Sequence, residues 1–387
     1  MRFREQLRSL PRPVWILLAG TFINRFGQFV MPFLVIYLTK IGYSTAKAGL
    51  ALGAYGLGHV IASSMGGHLA DRIGRRNTIV LSMFGSAASL LALSQARSYL
   101  PIVLLTICSA AFGELYRPAA QALLADLMPE SERVFSFAMY RFAVNLGVAA
   151  GPAMAGFLAE YSFFYLFAGD AATSVIYGFI ALFALPQGLR TYQKGERAGE
   201  ALRVAARDTR FVVFLCATLL AAMIDMQMGS TFALHVTTIG FLPRVYGMLI
   251  SLNAVLVIAF ELVITNYTQR MSPRPVIAFG YLLWGLGFAL TGIARTIPIL
   301  AVTVAIWTFG EMFASPLAGA YVAQIAPEKY RGRYMGMLVT MWSVALCIGP
   351  PLGTFLFEHN PAALWASCGA LGLASAALLY TRRRPER

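Results

Sequence analysis

The sequence predicts an all-α integral membrane protein, with twelve transmembrane helices arranged as two six-helix pseudo-symmetric bundles. Three observations lead to this fold class. Hydrophobic residues make up 58% of the 387 residues and charged residues only 12%, about half the charged share of a soluble globular protein. Twelve apolar stretches are long enough to cross a bilayer, which takes roughly 20 residues each. The two halves of the chain share features at a constant offset of 198 residues.

The apolar stretches, numbered as spans 1 to 12, are distributed over the whole chain. They cover residues 14–38, 45–70, 77–96, 99–126, 134–160, 162–185, 210–238, 243–268, 275–294, 297–326, 333–358 and 361–381. Runs such as Ala217–Met223 are apolar on every face, whereas barrel strands alternate. Span 1 is longer than the apolar core of a signal peptide and carries Asn24 and Arg25 in its middle, so we expect it to be a retained helix.

The net charge of +14 follows the predicted topology and does not indicate a nucleic-acid partner. The connections on the side of the two tails hold 23 Lys and Arg residues, and those on the opposite side hold 5. Cytoplasmic loops are enriched in these residues. The split predicts that both termini are cytoplasmic and that the chain lies in the plasma membrane, the inner membrane of a prokaryote. A monomer is the simplest expectation.

The halves repeat in parallel. The domains are predicted as an N-terminal bundle, a cytoplasmic linker and a C-terminal bundle at residues 1–187, 188–209 and 210–387. Gly151-Pro152 in the first half matches Gly349-Pro350 in the second. Parallel repeats with an even helix count are related by an axis along the membrane normal, and such proteins work by rocking one half against the other.

A glycine-rich basic loop follows span 2 and reads GHLADRIGRR from Gly67 to Arg76. It resembles the signature loop of the major facilitator superfamily, which forms a cytoplasmic gate latch between helices. The resemblance implies interhelix contacts of Asp71 and of Arg75 or Arg76. The latch candidates are Gly67, Asp71, Arg72, Gly74, Arg75, Arg76 and, as a partner, Asp126. The alternative is a basic loop that serves topology only.

Span 5 carries small residues at four-residue spacing, at Gly147, Gly151 and Gly156, with Pro152 among them. Such spacing makes a face on which helices pack closely, and a proline can bend the helix. The pattern also resembles the fifth-helix motif of the drug:proton antiporter-1 (multidrug efflux) group of the superfamily. Ala155 replaces a glycine of that motif.

Ionisable residues inside spans cost about 2.5–3.5 kcal/mol each and mark functional positions. Those at mid-depth lie in spans 1, 4, 7 and 10, the helices that line the central cavity in the superfamily. The candidates for a substrate and proton cavity are Asn24, Arg25, Gln28, Glu114, Arg117, Asp225, Trp307 and Glu311. A buried carboxyl group is stabilised when it binds a proton, so Asp225 and Glu311 are the candidate proton or cation sites. The alternatives are a static Glu114–Arg117 pair and interhelix pairing of Arg25 with Asp225 or Glu311.

Five further polar residues lie in spans. Arg141 and Glu261 form a possible gate pair between the halves. Asp170 is interpreted as a packing or capping residue. His59 and His235 are interpreted as polar helix contacts, with a proton relay as the alternative.

The resemblance implies proton-coupled export of small amphipathic or hydrophobic compounds, with the proton gradient as energy source and no cofactor. The group usually has an arginine in helix 4 ahead of a glycine-containing stretch, and Thr106–Phe112 holds no charge. Proton-coupled uptake of a peptide or sugar is the alternative. A membrane enzyme or receptor is remote, because the four histidines are scattered and no phosphate-binding loop occurs. No metal and no nucleic-acid partner are expected, only a small-molecule substrate and the lipid bilayer.

Overall fold

The computed structural model describes residues 7, 10–129, 132–188 and 198–380, and this part of the chain contains helices and no strand. The predicted all-α class is therefore confirmed. The helices in chain order are α1 (Arg12–Phe26), α2 (Val30–Lys40), α3 (Thr45–Ile73), α4 (Arg75–Gln95), α5 (Tyr99–Leu127), α6 (Arg133–Tyr161), α7 (Phe163–Ala184), α8 (Ala198–Arg207), α9 (Thr209–Asp225), α10 (Thr231–Thr238), α11 (Pro243–Thr268), α12 (Pro273–Thr291), α13 (Ile297–Ile325), a 3-10 turn (Glu328–Tyr330), α14 (Arg331–His359) and α15 (Pro361–Tyr380).

Ten segments of the described chain are long and apolar enough to cross a membrane. They correspond to ten of the twelve predicted spans, with α1 and α2 together forming the first. The other two are α3 and the α9–α10 pair. Helix α3 has 29 residues, or about 43 Å at 1.5 Å per residue, but carries polar residues near its end. The α9–α10 segment is interrupted, so neither part alone reaches the length of a span.

Span 1 is present as one membrane-length segment, Arg12–Lys40, but the helix within it is broken. Helix α1 ends at Phe26 and α2 begins at Val30. The N–H of Phe29 donates to the carbonyl oxygen of Gly27 at 2.7 Å, a local turn that replaces helical hydrogen bonds. The N–H of Val30 donates to a side chain of α7, Asp170. Arg25 therefore lies directly before a break in the helix.

Span 7 is broken in a similar way between Asp225 and Thr231. Gln227 fills the break. Its Nε2 donates to the carbonyl oxygens of Met223 at 2.9 Å and Gly349 at 3.1 Å, and its Oε1 accepts from Thr231 Oγ1 at 3.0 Å. The bond to Met223 satisfies a carbonyl oxygen at the end of α9, and the bond to Gly349 ties the break to α14. Asp225, like Arg25, lies at the edge of a break.

The helices cluster into two compact units. The first contains Met1–Phe33 and Ala54–Gln193, and the second contains Leu34–Gly53 and Lys194–Arg387. In the first, α4 packs on α5 and α7, and α1 packs on α6 and α7. Its apolar core is built around Leu17, Met83, Tyr116 and Leu123. In the second, α12 packs on α13 and α15, and α9 packs on α14.

The predicted linker at 188–209 is described only in part, because residues 189–197 lie outside the described chain. The described part of the linker contains helix α8. Asp208 then caps α9, since its Oδ1 accepts from the backbone N–H groups of Arg210 at 3.1 Å and Phe211 at 3.2 Å.

Candidate functional site

Four predicted cavity residues of the first unit meet around Glu114. Oε1 of Glu114 lies 3.5 Å from Arg25 Nη1, and Oε2 lies 3.0 Å from Arg117 Nη1. Gln28 Oε1 accepts a hydrogen bond from Arg25 Nη1 at 2.7 Å. Glu114 and Arg25 are only 5% and 7% exposed, whereas the Arg117 side chain is 44% exposed. The structure therefore contains the predicted Glu114–Arg117 pair, but Glu114 is shared with a second, buried arginine.

Arg25 is held in place by the small residues of the predicted fifth-helix motif. A Cβ atom on Gly147 would lie 2.7 Å from Arg25 Cβ, and one on Gly151 would lie 2.5 Å from the carbonyl oxygen of Phe26. Both distances are shorter than side chains tolerate, so only glycine permits α1 to approach α6 this closely. Pro152 and Gly156 are buried on the same helix. The motif thus packs directly against the helix end that carries Arg25.

The surroundings of Arg25 are aromatic and polar. Its guanidinium carbon lies 5.5 Å from the ring centre of Tyr116, a favourable cation–π distance. Among the described residues, Arg25 Nε and Nη2 have no hydrogen-bond partner. On the other side of Glu114, His59 Nε2 lies 3.5 Å from Oε1. One carboxylate thus faces two guanidinium groups and an imidazole, which leaves the cluster with an excess of positive charge.

The second unit presents an acidic cluster. Glu311 Oε2 accepts a hydrogen bond from Asn253 Nδ2 at 3.0 Å, and the same Nδ2 donates to Thr308 Oγ1 at 3.0 Å. Asp225 interacts electrostatically with Glu311, and Glu311 in turn with Glu261. Within the described chain, neither Asp225 nor Glu311 has an ion pair with a basic side chain. Each is partly buried.

The tryptophan beside these carboxyl groups differs from the predicted one. Trp307 is fully buried, and its ring stacks on Phe288 with 5.2 Å between the ring centres. Trp284 of α12 is instead the residue whose indole interacts with Asp225.

The predicted latch residues lie at the α3–α4 corner of the first unit. Arg75 Nε lies 3.0 Å from Asp126 Oδ2, and both side chains are largely buried. Gly74 has a φ of 93°, a conformation that favours glycine, and so lets α4 start directly after α3. Asp71 is partly buried and forms no ion pair within the described residues. Gly67 and Arg72 are exposed and Arg76 is partly buried.

The possible gate pair stays a prediction. Arg141 is exposed on α6 of the first unit, and Glu261 is partly buried on α11 of the second. Each makes contacts of its own. The pairing of Arg25 with Asp225 or Glu311 stays a prediction as well.

Sequence reasoning missed several members of both clusters. Asn253 lies in span 8 and Trp284 in span 9. A single polar or aromatic side chain within an apolar span has no distinctive spacing that would mark it as part of a site. His59 was interpreted as a helix contact, and it lies beside Glu114. The available signal was the alignment of the halves, because Asn253 lies 198 residues after Tyr55, one helical turn before His59.

Comparison with known proteins identifies the family. The family model described as Major Facilitator Superfamily matches residues 17–242 and 209–387. The MFS-type transporter YttB of Bacillus subtilis (strain 168) is 30% identical over 390 residues, covering 97% of this chain and 96% of the relative. A Na(+), Li(+), K(+)/H(+) antiporter of Planococcus maritimus is 27% identical, with 90% of each chain covered. The multidrug resistance protein MdtH of Cronobacter sakazakii (strain ATCC BAA-894) is 24% identical, with 97% and 95% covered.

Solved structures share the fold at low identity. A POT family transporter in complex with 5-aminolevulinic acid superposes with a TM-score of 0.80 at 16% identity, covering 96% of this chain and 95% of the other. A D-xylose-proton symporter gives a TM-score of 0.75 at 14% identity, with 95% and 96% covered. The family model spans nearly the whole chain, and the relatives align along almost their full length. The chain therefore belongs to the Major Facilitator Superfamily, and it is a multi-span membrane transporter and not an enzyme.

Proposed function

We propose that the chain is a proton-coupled exporter of small amphipathic or hydrophobic compounds that works by alternating access. The observation that carries the proposal is the acidic cluster of the second unit. Asp225 and Glu311 interact with each other and have no basic partner among the described residues. Two carboxyl groups that interact electrostatically are more stable together when at least one of them binds a proton. Release of that proton and binding of a substrate are then alternative states of one cluster.

Export is supported by the packing of the fifth-helix motif. Gly147 and Gly151 hold the end of α1 that carries Arg25, so the motif acts on the site itself. Among the relatives, one is named a multidrug resistance protein and one an antiporter.

Exchange of monovalent cations for protons is a second candidate. It is favoured by the 27% identity to the Planococcus maritimus protein named as such an antiporter. Oxygen ligands from carboxyl groups suit such cations, and the acidic cluster supplies them.

Everted membrane vesicles from a host lacking its own efflux pumps and cation antiporters distinguish the two. Respiration acidifies the vesicle interior, and acridine orange fluorescence reports the pH gradient. We expect ethidium to collapse part of the gradient with the wild type, and not with Asp225→Asn or Glu311→Gln. Glu328→Gln, which removes an exposed carboxylate, is the matched control and should behave as the wild type.

The other results are equally informative. If NaCl or KCl collapsed the pH gradient and ethidium did not, the result would favour cation exchange over drug export. If no dye and no cation changed the pH gradient, and a peptide or sugar were taken up together with protons, the result would favour symport over export. An unchanged response in both carboxyl variants would overturn the role given to Asp225 and Glu311.

We also propose that the protein acts as a monomer in the bacterial inner membrane with both termini in the cytoplasm. The uneven distribution of Lys and Arg between the two sets of connections supports this orientation. The linker of residues 188–209 would connect the two six-helix bundles along the chain. The proton gradient would supply the energy without a cofactor.

A further inference from the structure

A further buried carboxylate without an ion pair among the described residues, Asp170, lies in α7 of the first unit. Asp170 is only 6% exposed. Its Oδ2 accepts a hydrogen bond from the backbone N–H of Val30 at 3.2 Å, and it also interacts with the N–H of Phe29. Val30 is the first residue of α2 and Phe29 directly precedes it, and the N–H groups at the start of a helix have no partner within the helix. Asp170 therefore holds the break in helix 1 from a neighbouring helix.

The packing around this contact is built for close approach. A Cβ atom on Gly27 would collide with Thr173 Oγ1, and a Cβ atom on Gly169 would lie 2.9 Å from the Phe29 ring. One glycine is on the broken helix and the other on α7, directly before Asp170. The carboxylate is thus fixed against the break by the shape of both helices.

Asp170 also faces a polar pocket. The side chains that line it with Asp170 include Asn24, Gln28, Tyr55, Ser86 and Ser109. Asn24 is 4% exposed, and its Oδ1 has no hydrogen-bond partner within the described chain. A buried acceptor left unpaired is destabilising, so a hydrogen-bond donor placed in the pocket beside Asn24 Oδ1 would be stabilised.

The charged and titratable groups around the pocket are few. Helix α3 contributes Tyr55, which interacts electrostatically with Asp170. Helix α1 contributes Arg25, which reaches the pocket through its 2.7 Å hydrogen bond to Gln28. Helices α4 and α5 line the pocket with Ser86, Leu90, Ser109 and Gly113, none of which titrates. No ion pair to Asp170 occurs among the described residues.

We propose that Asp170 is a proton-binding site of the first unit, separate from Asp225 and Glu311, and that its proton enters and leaves through this pocket. The described residues contain no group of three side chains that could hold a metal ion, whereas a proton needs a single carboxyl oxygen. A protonated carboxyl group donates one hydrogen bond, for which Asn24 Oδ1 is an available acceptor. The backbone N–H groups at the start of α2 then face a neutral carboxyl group instead of a negatively charged carboxylate.

Proton binding at Asp170 therefore weakens the cap of α2 and loosens the break in helix 1. The proposal for Asp170 rests on the proposed function in one respect, namely that the proton is the coupling ion. Proton binding itself is measured without any transported substrate, so its failure and the failure of proton-coupled export are separate results.

Infrared difference spectroscopy of the purified protein between low and high pH tests the site. The carbonyl stretch of a protonated carboxyl group appears as a band that is lost when the proton leaves. We expect a band present in the wild type and in Asp225→Asn and missing from Asp170→Asn. Asp170→Glu should keep a band with a changed midpoint pH, which guards against misfolding of the amide variant. Identical band sets in the wild type and in well-folded Asp170→Asn would overturn the proposal.

Hydrogen exchange of the peptide over residues 26–34 gives a second readout, after correction for the intrinsic effect of pH. We expect exchange to rise at least several-fold at low pH in the wild type. In Asp170→Asn the corrected rate should be the same at both pH values. A wild-type rate that does not change with pH would contradict the link between the proton and the helix break.

Discussion

Gly151 of α6 faces the backbone of Phe26 so closely that a Cβ atom on it would lie 2.5 Å from the Phe26 carbonyl oxygen. Arg25, the preceding residue, is the buried cation of the first unit and pairs with Glu114 at 3.5 Å. The position of this cation thus depends on the absence of one methyl group in a neighbouring helix.

Gly151→Ala should therefore disturb the site and destabilise the protein. The added methyl group pushes α1 away, and overpacking of this kind costs about 1–3 kcal/mol. We expect a lower thermal midpoint of the purified protein and a loss of transport of at least several-fold. Gly336→Ala adds a methyl group to open space on another helix and should leave stability unchanged or raise it by up to about 1 kcal/mol. Equal effects of the two substitutions would contradict the packing argument.

Glu114→Gln should be among the most destabilising single changes in the first unit. It removes the charge opposite Arg25, and an uncompensated buried charge costs about 3–5 kcal/mol. Arg117→Gln, at an arginine that is 44% exposed, should cost at most about 1 kcal/mol. Thermal unfolding of both variants in the same detergent makes the comparison. The reverse order of stability would show that Arg117, and not Arg25, depends on Glu114.

The Arg75–Asp126 pair should show energetic coupling. The two atoms are 3.0 Å apart and both side chains are largely buried, and contacting residues of this kind couple by about 0.5–3 kcal/mol. The measurement is a double-mutant cycle of Arg75→Gln and Asp126→Asn on denaturant unfolding. We expect the double variant to be more stable than the sum of the single effects implies. Strict additivity would mean that the pair contributes nothing to the α3–α4 corner.

Asn253→Ala should shift the pH dependence of transport to higher pH. Asn253 donates a hydrogen bond to Glu311 at 3.0 Å, which stabilises the ionised carboxylate. Without that donor the proton-bound form of Glu311 is favoured, so the proton is held up to a higher pH. Asn266→Ala, an exposed asparagine of the same helix, serves as the control. A shift to lower pH, or equal profiles for the two variants, would contradict this arrangement.

Much of the architecture could be predicted from the sequence, because apolar length and the repeat of Gly151-Pro152 at Gly349-Pro350 are strong local signals. The meeting of Arg25, Glu114 and Arg117 also agrees with their placement in spans 1 and 4. The helix breaks could not be predicted. The segments on both sides of Gly27 are apolar, so hydropathy alone gives one continuous span. The groups that hold the breaks, Asp170 and Gln227, come from a distant helix or from the turn itself.

The acidic cluster illustrates the same limit. Asp225 and Glu311 were recognisable as charges inside spans, but their neighbours were not. Trp307 is one turn from Glu311 in sequence and yet packs on Phe288, because rotation of a helix about its axis is set by tertiary packing. Trp284 and Asn253 come from other helices, and only coordinates bring them to the carboxyl groups.

The most direct measurement is substrate flux in proteoliposomes that contain only this protein, with a pH gradient imposed by dilution and ethidium as the transported dye. We predict that dye moves into the acidic compartment with the wild type, follows the size of the gradient, and ceases to move in the Asp225→Asn/Glu311→Gln double variant. Dye movement that is indifferent to the gradient, or that persists at full rate in the double variant, would contradict proton coupling through these two carboxyl groups.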